Sequence, residues 1–235
     1  MKQQYGMGRL PFVADERDAN YTAMRLAAMI ELGLATPVEW KNRNRVLDQG
    51  HFGTCVAAGT LGLLNTDDEQ HNDPKFKNTD IMPFFMKIPG HGALPDGGAE
   101  VREGLKAAKT AGLIEAYALL RTEAEIDEWL DNHGPVLVGT VWSPGMCNPK
   151  GDIVNVDTVN VSSGHCWFFH EQELYYLHGT QSWGERWGDH GLFRVHRSHW
   201  LRLHRAGGEA WAVVQALPKP RPSLWSRIRK LLGGK

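Results

Sequence analysis

Leu47-Asp48-Gln49-Gly50-His51-Phe52-Gly53-Thr54-Cys55 is the stretch on which the reading of this chain turns. A glycine and a small residue stand directly before a cysteine, and the apolar run Val56, Ala57, Ala58, Leu61 and Leu64 follows it. That pattern predicts a helix opening at Cys55 and ending near the polar run Thr66–Gln70. A helix N-terminus carries partial positive charge, so a cysteine placed there is expected to have a lowered thiol pKa. Gln49 lies six residues upstream, within reach of the same spot as the Cys55 backbone N–H. Two such donors form an oxyanion hole for acyl transfer.

A thiolate nucleophile needs a base. His165 in Ser162-Ser163-Gly164-His165-Cys166 is the candidate, because a Gly-His pair there enters an apolar strand. Gln181 follows sixteen residues later in Thr180-Gln181-Ser182-Trp183-Gly184-Glu185-Arg186-Trp187-Gly188. His51 is the rival base, but it belongs to the nucleophile's own loop. Cys147 and Cys166 read as small buried hydrophobes. No Cys/His cluster has zinc spacing, so no metal is expected and the chemistry calls for no cofactor.

The chain has 235 residues with 42% hydrophobic and 23% charged side chains. That excludes wholesale disorder and suffices for a core without disulfide staples. A net charge of −1 argues against a general nucleic-acid binder. No apolar run reaches membrane-spanning length, and the N-terminus lacks the apolar core of a signal peptide. Three cysteines cannot close a disulfide framework. Together these predict a reducing, cytoplasmic setting. Nine tryptophans predict aromatic packing around a site, without saying which.

Residues 1–35 read as an N-terminal extension with a helix spaced by Met24, Ala27, Ala28 and Leu34. Pro89 to Gly98 must be loop. Helices are expected at Glu100–Ala111, stopped by Gly112, and after the capping box Thr122-Glu123-Ala124-Glu125. Beyond Pro135 short strands are expected at Val136–Trp142, Cys166–Phe169, Leu174–Leu177, Leu192–His196 and Ala210–Gln215. Helices first and strands later make an α+β pattern with two segregated lobes. The segment 218–235 carries six basic residues and no acid. Behind three prolines, Leu224, Trp225, Ile228, Leu231 and Leu232 share one face of a short helix. Residues 223–232 are thus a candidate for weak membrane-surface or protein contact.

These blocks resemble the papain family of cysteine peptidases. Gln49–Cys55 is similar to the family's Gln-Gly-x-x-Gly-Ser-Cys, Gly164-His165 to its strand-opening Gly/Asp-His, and Gln181–Arg194 to its Asn-Ser-Trp-Gly-x-x-Trp-Gly block. Weaker echoes are Pro37–Trp40, Asp96-Gly97-Gly98 and Gly134-Pro135-Val136. The resemblance covers about residues 36–217, with a helical lobe near 45–121 and a β lobe near 122–217. It implies a two-lobed papain-like fold, the helical lobe facing an antiparallel β lobe across an active-site cleft. By the resemblance Cys55, His165, Gln181 and Gln49 are catalytic, and Gly97, Gly98, Gly164 and Trp183 bind substrate, Trp183 also shielding the His165–Gln181 contact. Departures are Gln181 for the family's Asn, Val56 for its Trp and Phe52 for a disulfide cysteine. Cys55 and His165 are 110 residues apart, against ~130–150 in secreted members. No long inhibitory propeptide precedes the match.

The reading is therefore a monomeric cysteine-type peptidase acting on peptide or protein substrates through a thioester. Beside it stand an acyl transferase or transpeptidase, a murein-amide hydrolase, and a catalytically impaired binding or structural module.

Overall fold

The computed structural model describes residues 5–15, 46–66, 76–160 and 162–216. The expected helix at 24–34, the echo at 37–40 and the tail from 218 lie outside the described residues. In chain order the elements are α1 (Cys55–Leu64), α2 (Asn78–Phe85), α3 (Val101–Thr110), β1 (Ile114–Leu120), α4 (Glu123–Asn132) and β2 (Val136–Val141). After a 3₁₀ turn at Pro144–Cys147 come β3 (Gly164–Gln172), β4 (Tyr176–Thr180), β5 (Leu192–His196), α5 (Arg197–Arg205) and β6 (Glu209–Gln215). The strands form a six-stranded sheet in the order β1-β6-β2-β3-β4-β5, with every neighbouring pair antiparallel. The α+β expectation is met.

Period-two alternation sorts the sheet's side chains onto two faces. Leu137, Cys166, Phe168, Trp211 and Val213 share a core with residues of α1, α2 and α3. Val136, Val138, Trp167, Phe169, Leu177, Phe193 and Val195 share the other core with α4 and α5. All ten residues of α1 are buried, as a helix that is apolar around its circumference requires. It lies very close to β3. A Cβ on Gly59 would stand 3.0 Å from Cys166 Sγ, and one on Gly62 3.1 Å from a Phe168 ring carbon. Glycine at these positions brings α1 up against β3, and the Cys55 sulfur faces the N–H of Cys166, the neighbour of His165.

The capping box forms as read. Thr122 accepts from the Glu125 N–H, and the Glu125 carboxylate accepts from the Thr122 N–H. Gly112 ends α3 at φ +69, a left-handed stop that glycine adopts without strain. Other expectations shift. The strand expected at Leu174–Leu177 begins only at Tyr176, and Leu174 and Tyr175 stand exposed in the turn before it. Helix α2 contains Pro83, β1 consists largely of good helix formers, and α5 follows β5 with no intervening turn signal. None of the three was expected. Among the described residues no helix is long and apolar enough to cross a membrane.

Candidate active site

Cys55 is the first helical residue of α1, behind the N-cap Thr54. Its sulfur faces the backbone N–H groups of Cys166, Val56 and Gly8. His165 is the second residue of β3 and pairs with Thr140 of β2. Its Nε2 hydrogen-bonds to Gln181 Oε1, just past the end of β4. The Ser182 N–H donates to the same oxygen at 3.0 Å. That oxygen is therefore the acceptor in both contacts, so His165 Nε2 carries the proton and Nδ1 carries the lone pair. Nδ1 is buried and without a hydrogen-bond partner among the described residues. The imidazole is thus held in the tautomer a general base needs.

Gln49 is fixed from both sides. Its Oε1 accepts from Ser182 Oγ at 2.5 Å, and its Nε2 donates to Phe52 O at 2.8 Å and Gly6 O at 3.2 Å. Backbone bonds from Gln49 N to Ser182 O and from Gly184 N to Leu47 O join the two loops. Ser182, which the sequence reading passed over, thereby couples the Gln49 and Gln181 amides.

An aromatic wall surrounds the imidazole. Trp183 lies with its ring 4.5 Å from His165, and Trp142 meets His165 edge-on at 5.2 Å. Trp142 also touches Trp167, Trp183, Trp187 and Phe193. Trp142, Trp167, Trp183 and Trp187 thus cluster behind the histidine. No motif pointed to Trp142 in particular.

The space between these groups is occupied by residues 5–10 of the chain itself. Tyr5 stacks on Trp183, and the Gly6 carbonyl accepts from Trp183 Nε1 at 3.1 Å as well as from Gln49. Gly8 N and Arg9 N both donate to Gly164 O, Ala99 N donates to Gly8 O, and Leu10 N donates to Ala99 O. The fit is backbone against backbone: a Cβ on Gly8 would lie 2.0 Å from Gly53 O, and one on Gly98 2.2 Å from Gly8 O. Gly98, Gly164 and Trp183 therefore line the filled cleft. Gly97 sits a layer behind, packed on Gly92 and Gly53. His51 is exposed and its ring stacks on Phe52. This short segment fills the groove.

Filling the cleft reverses the expected electrostatics. Burial pushes the Cys55 thiol up to about 12, outweighing the N–H groups of Cys166, Val56 and Gly8 and the positive potential of Arg9. Burial likewise drives His165 down to about 3 against the opposing effect of Gln181. The lowered thiol pKa expected from the helix N-terminus is therefore not found. A partial dipole charge is smaller than the cost of placing a thiolate in a site without water. In this arrangement thiol and imidazole are both neutral.

Elsewhere, His170, Glu171 and His178 on β3 and β4 bring their ligand atoms within 4.8 Å of one another. His170 is engaged with Thr180 Oγ1 and His178 with Glu173. All three cysteines are free thiols.

No family model matches the sequence. Among solved structures, xylellain, a cysteine protease from Xylella fastidiosa, is similar with a TM-score of 0.67 at 19% identity, over 93% of this chain and 98% of that one. The bromelain protease from Ananas comosus is similar with a TM-score of 0.57 at 14% identity, over 79% and 96%. Procathepsin L 3 of the Tenebrio molitor larval midgut gives 0.57 at 14%, over 90% and 76%. The chain has the fold of the papain-like cysteine proteases.

Proposed function

We propose that this chain is a cysteine peptidase whose nucleophile is Cys55. The observation that carries the reading is the filled cleft itself. Its two walls already hold an extended polypeptide by main-chain hydrogen bonds at Gly164 and Ala99, and present a peptide carbonyl to Gln49. Bonds to the main chain suit a peptide of almost any sequence, which favours a peptide substrate over a murein amide.

Once residues 5–10 vacate the cleft, a substrate carbonyl takes the place of the Gly6 carbonyl. The Cys55 thiol gives its proton to His165 Nδ1 and the sulfur attacks the carbonyl carbon. Gln49 Nε2, with the Cys55 N–H, stabilises the oxyanion. The C–N bond then breaks as His165 returns the proton to the departing amine. Water attacks the resulting thioester, with His165 again as base. Gln181 holds the imidazole tautomer throughout, and Trp183 covers that contact. Residues 223–232 remain a candidate contact segment outside the described residues.

The test is to incubate the chain with an ester or amide substrate, quench in acid and measure intact mass. An acyl adduct on Cys55 that is absent in Cys55→Ala is expected. Peptide turnover without any requirement for Cys55 would end the reading. Gln181→Ala should lower kcat roughly 10–100-fold with little change in KM, because it frees a positioned base. Gln181→Asn, which keeps the amide on a shorter stem, should lose less. Unchanged kcat in the alanine variant would remove Gln181 from the mechanism.

A further inference from the structure

Where β3 runs against β4, the pairing slips by one residue. Phe169 faces Gly179 but Glu171 faces His178, so His170 is the extra residue of a β-bulge. In a regular strand His170 and Glu171 would point to opposite faces. The bulge turns both to one side. Glu171 lies directly opposite His178. The His170 ring reaches Thr180 Oγ1 at 3.0 Å, and Thr180, two residues beyond His178, shares its face. The two imidazole rings meet at 81° with centroids 6.3 Å apart. One ligand atom from each of His170, Glu171 and His178 lies within 4.8 Å of the other two.

The group is sheltered from solvent. His170 is 7% exposed and the His178 side chain 19%. His178 Nε2 is buried and makes no hydrogen bond among the described residues, yet Glu173 Oε1 stands 2.9 Å from it. A ring nitrogen and a carboxylate oxygen that close, without hydrogen-bond alignment, are spaced much as two ligands of one tetrahedral ion. Metal–ligand bonds of ~2.0–2.1 Å hold such a pair ~3.3 Å apart. Arg194, the partner of His178 on β5, directs its charge to Asp152 at 2.5 and 3.1 Å.

We infer that His170, Glu171 and His178 form a binding site for a divalent transition metal, zinc being the best match, with Glu173 in the fourth position. Two imidazoles and two carboxylates suit zinc better than magnesium or calcium, which take oxygen ligands. The two carboxylates balance the charge of the ion. Thr180 Oγ1 orients the His170 ring from outside, as an outer-shell oxygen does for a metal-bound histidine. The sequence shows only His170-Glu171 and, seven residues on, His178. That spacing matches no zinc motif, because the third ligand comes from the neighbouring strand and the first two share a face only through the bulge. A bound ion ties the strand that carries His165 to the strand that leads into Gln181. The inference is independent of the peptidase reading.

Zinc titration of the full-length chain, after dialysis against EDTA, tests this. One equivalent should bind, and zinc at about ten times its Kd should raise the melting temperature by about 3–6 °C. Magnesium at the same concentration should leave it unchanged. Glu171→Gln and His178→Gln should each weaken zinc binding roughly 100-fold, and Glu173→Gln roughly tenfold, because water can take the fourth position. His170→Gln replaces His178→Gln if the latter does not fold. Cys55→Ala should bind zinc as tightly as the unaltered chain. A chain that binds no zinc, or an affinity unchanged in both Glu171→Gln and His178→Gln, overturns the inference. Binding that is lost in Cys55→Ala and kept in Glu171→Gln places the ion at the thiol and overturns it as well.

Discussion

At pH 7 the intact chain is expected to alkylate at Cys55 only very slowly, and Gly8→Val is expected to accelerate that labelling about a thousandfold. With the thiol pushed up to about 12, only ~10⁻⁵ of it is thiolate at pH 7, against a few per cent for an ordinary thiol near ~8.5. The rate in the intact chain should therefore rise about tenfold per pH unit through neutrality. A side chain on Gly8 collides with Gly53 O at 2.0 Å, so residues 5–10 cannot stay seated and water returns to the sulfur. The helix N-terminus and His165 can then favour the thiolate, as the sequence alone suggested. Intact-mass kinetics, with Cys55→Ala to assign the label, check this. A folded Gly8→Val chain that labels no faster would show that the segment is not what buries the thiol.

The same burial acts on acid stability. His165 titrates near 3 in the closed cleft and near 6.5 when exposed to water. A histidine with a depressed folded pKa contributes stability that is complete above about 6.5 and is lost as pH falls toward 3. Mild acid should therefore open the cleft before it unfolds the sheet. The protection factors of Gly8, Arg9 and Leu10, taken against the intrinsic exchange rate at each pH, should fall between pH 6.5 and 4.5, while those of β2 and β3 stay high. Simultaneous loss of both would show that the cleft and the sheet open together.

Trp142→Ala should have the largest effect on stability. Its side chain is 1% exposed and contacts four further aromatic rings besides the imidazole. Truncating a fully buried tryptophan costs about 3–5 kcal/mol. For a chain of this size that corresponds to a melting temperature lower by roughly 6–20 °C. Because Trp142 also backs His165, turnover at temperatures where the variant is folded should fall as well. Circular dichroism melts decide the first point, and a drop below 2 °C would mean that the wall repacks without it.

What could be read from the sequence was what local chemistry dictates. Cys55 behind Gly53 and Thr54, His165 behind Gly164, and Gln181 sixteen residues on are short motifs; His165 meets Gln181, and Ser182 bonds both Gln181 and Gln49. The Thr122–Glu125 cap and the Gly112 stop are equally local. Helix α2 was hidden because Pro83 is normally a helix breaker. Strand β1 was hidden because Ala116, Ala118, Leu119 and Leu120 suit a helix, and pairing with β6 overrides that preference. Residues 5–10 have no periodicity of their own. Their shape comes from the cleft walls, and the Arg9–Glu209 contact joins positions 200 residues apart. The thiol's pKa was misjudged because helix position is visible in a sequence and exclusion of water is not.

The peptide in the cleft is covalently part of the molecule whose cleft it fills. Such a tethered occupant acts at an effective concentration that dilution does not lower. Closure of the cleft is then unimolecular, and the closed fraction is the same at nanomolar and micromolar protein. A free peptide must compete against that fixed local concentration, so weakly binding peptides are excluded at concentrations where they would fill an open groove. Cutting the chain between Asp15 and Val46 would convert the tethered occupant into a diffusible one. From then on its release would obey mass action, and the open fraction would grow as the solution is diluted.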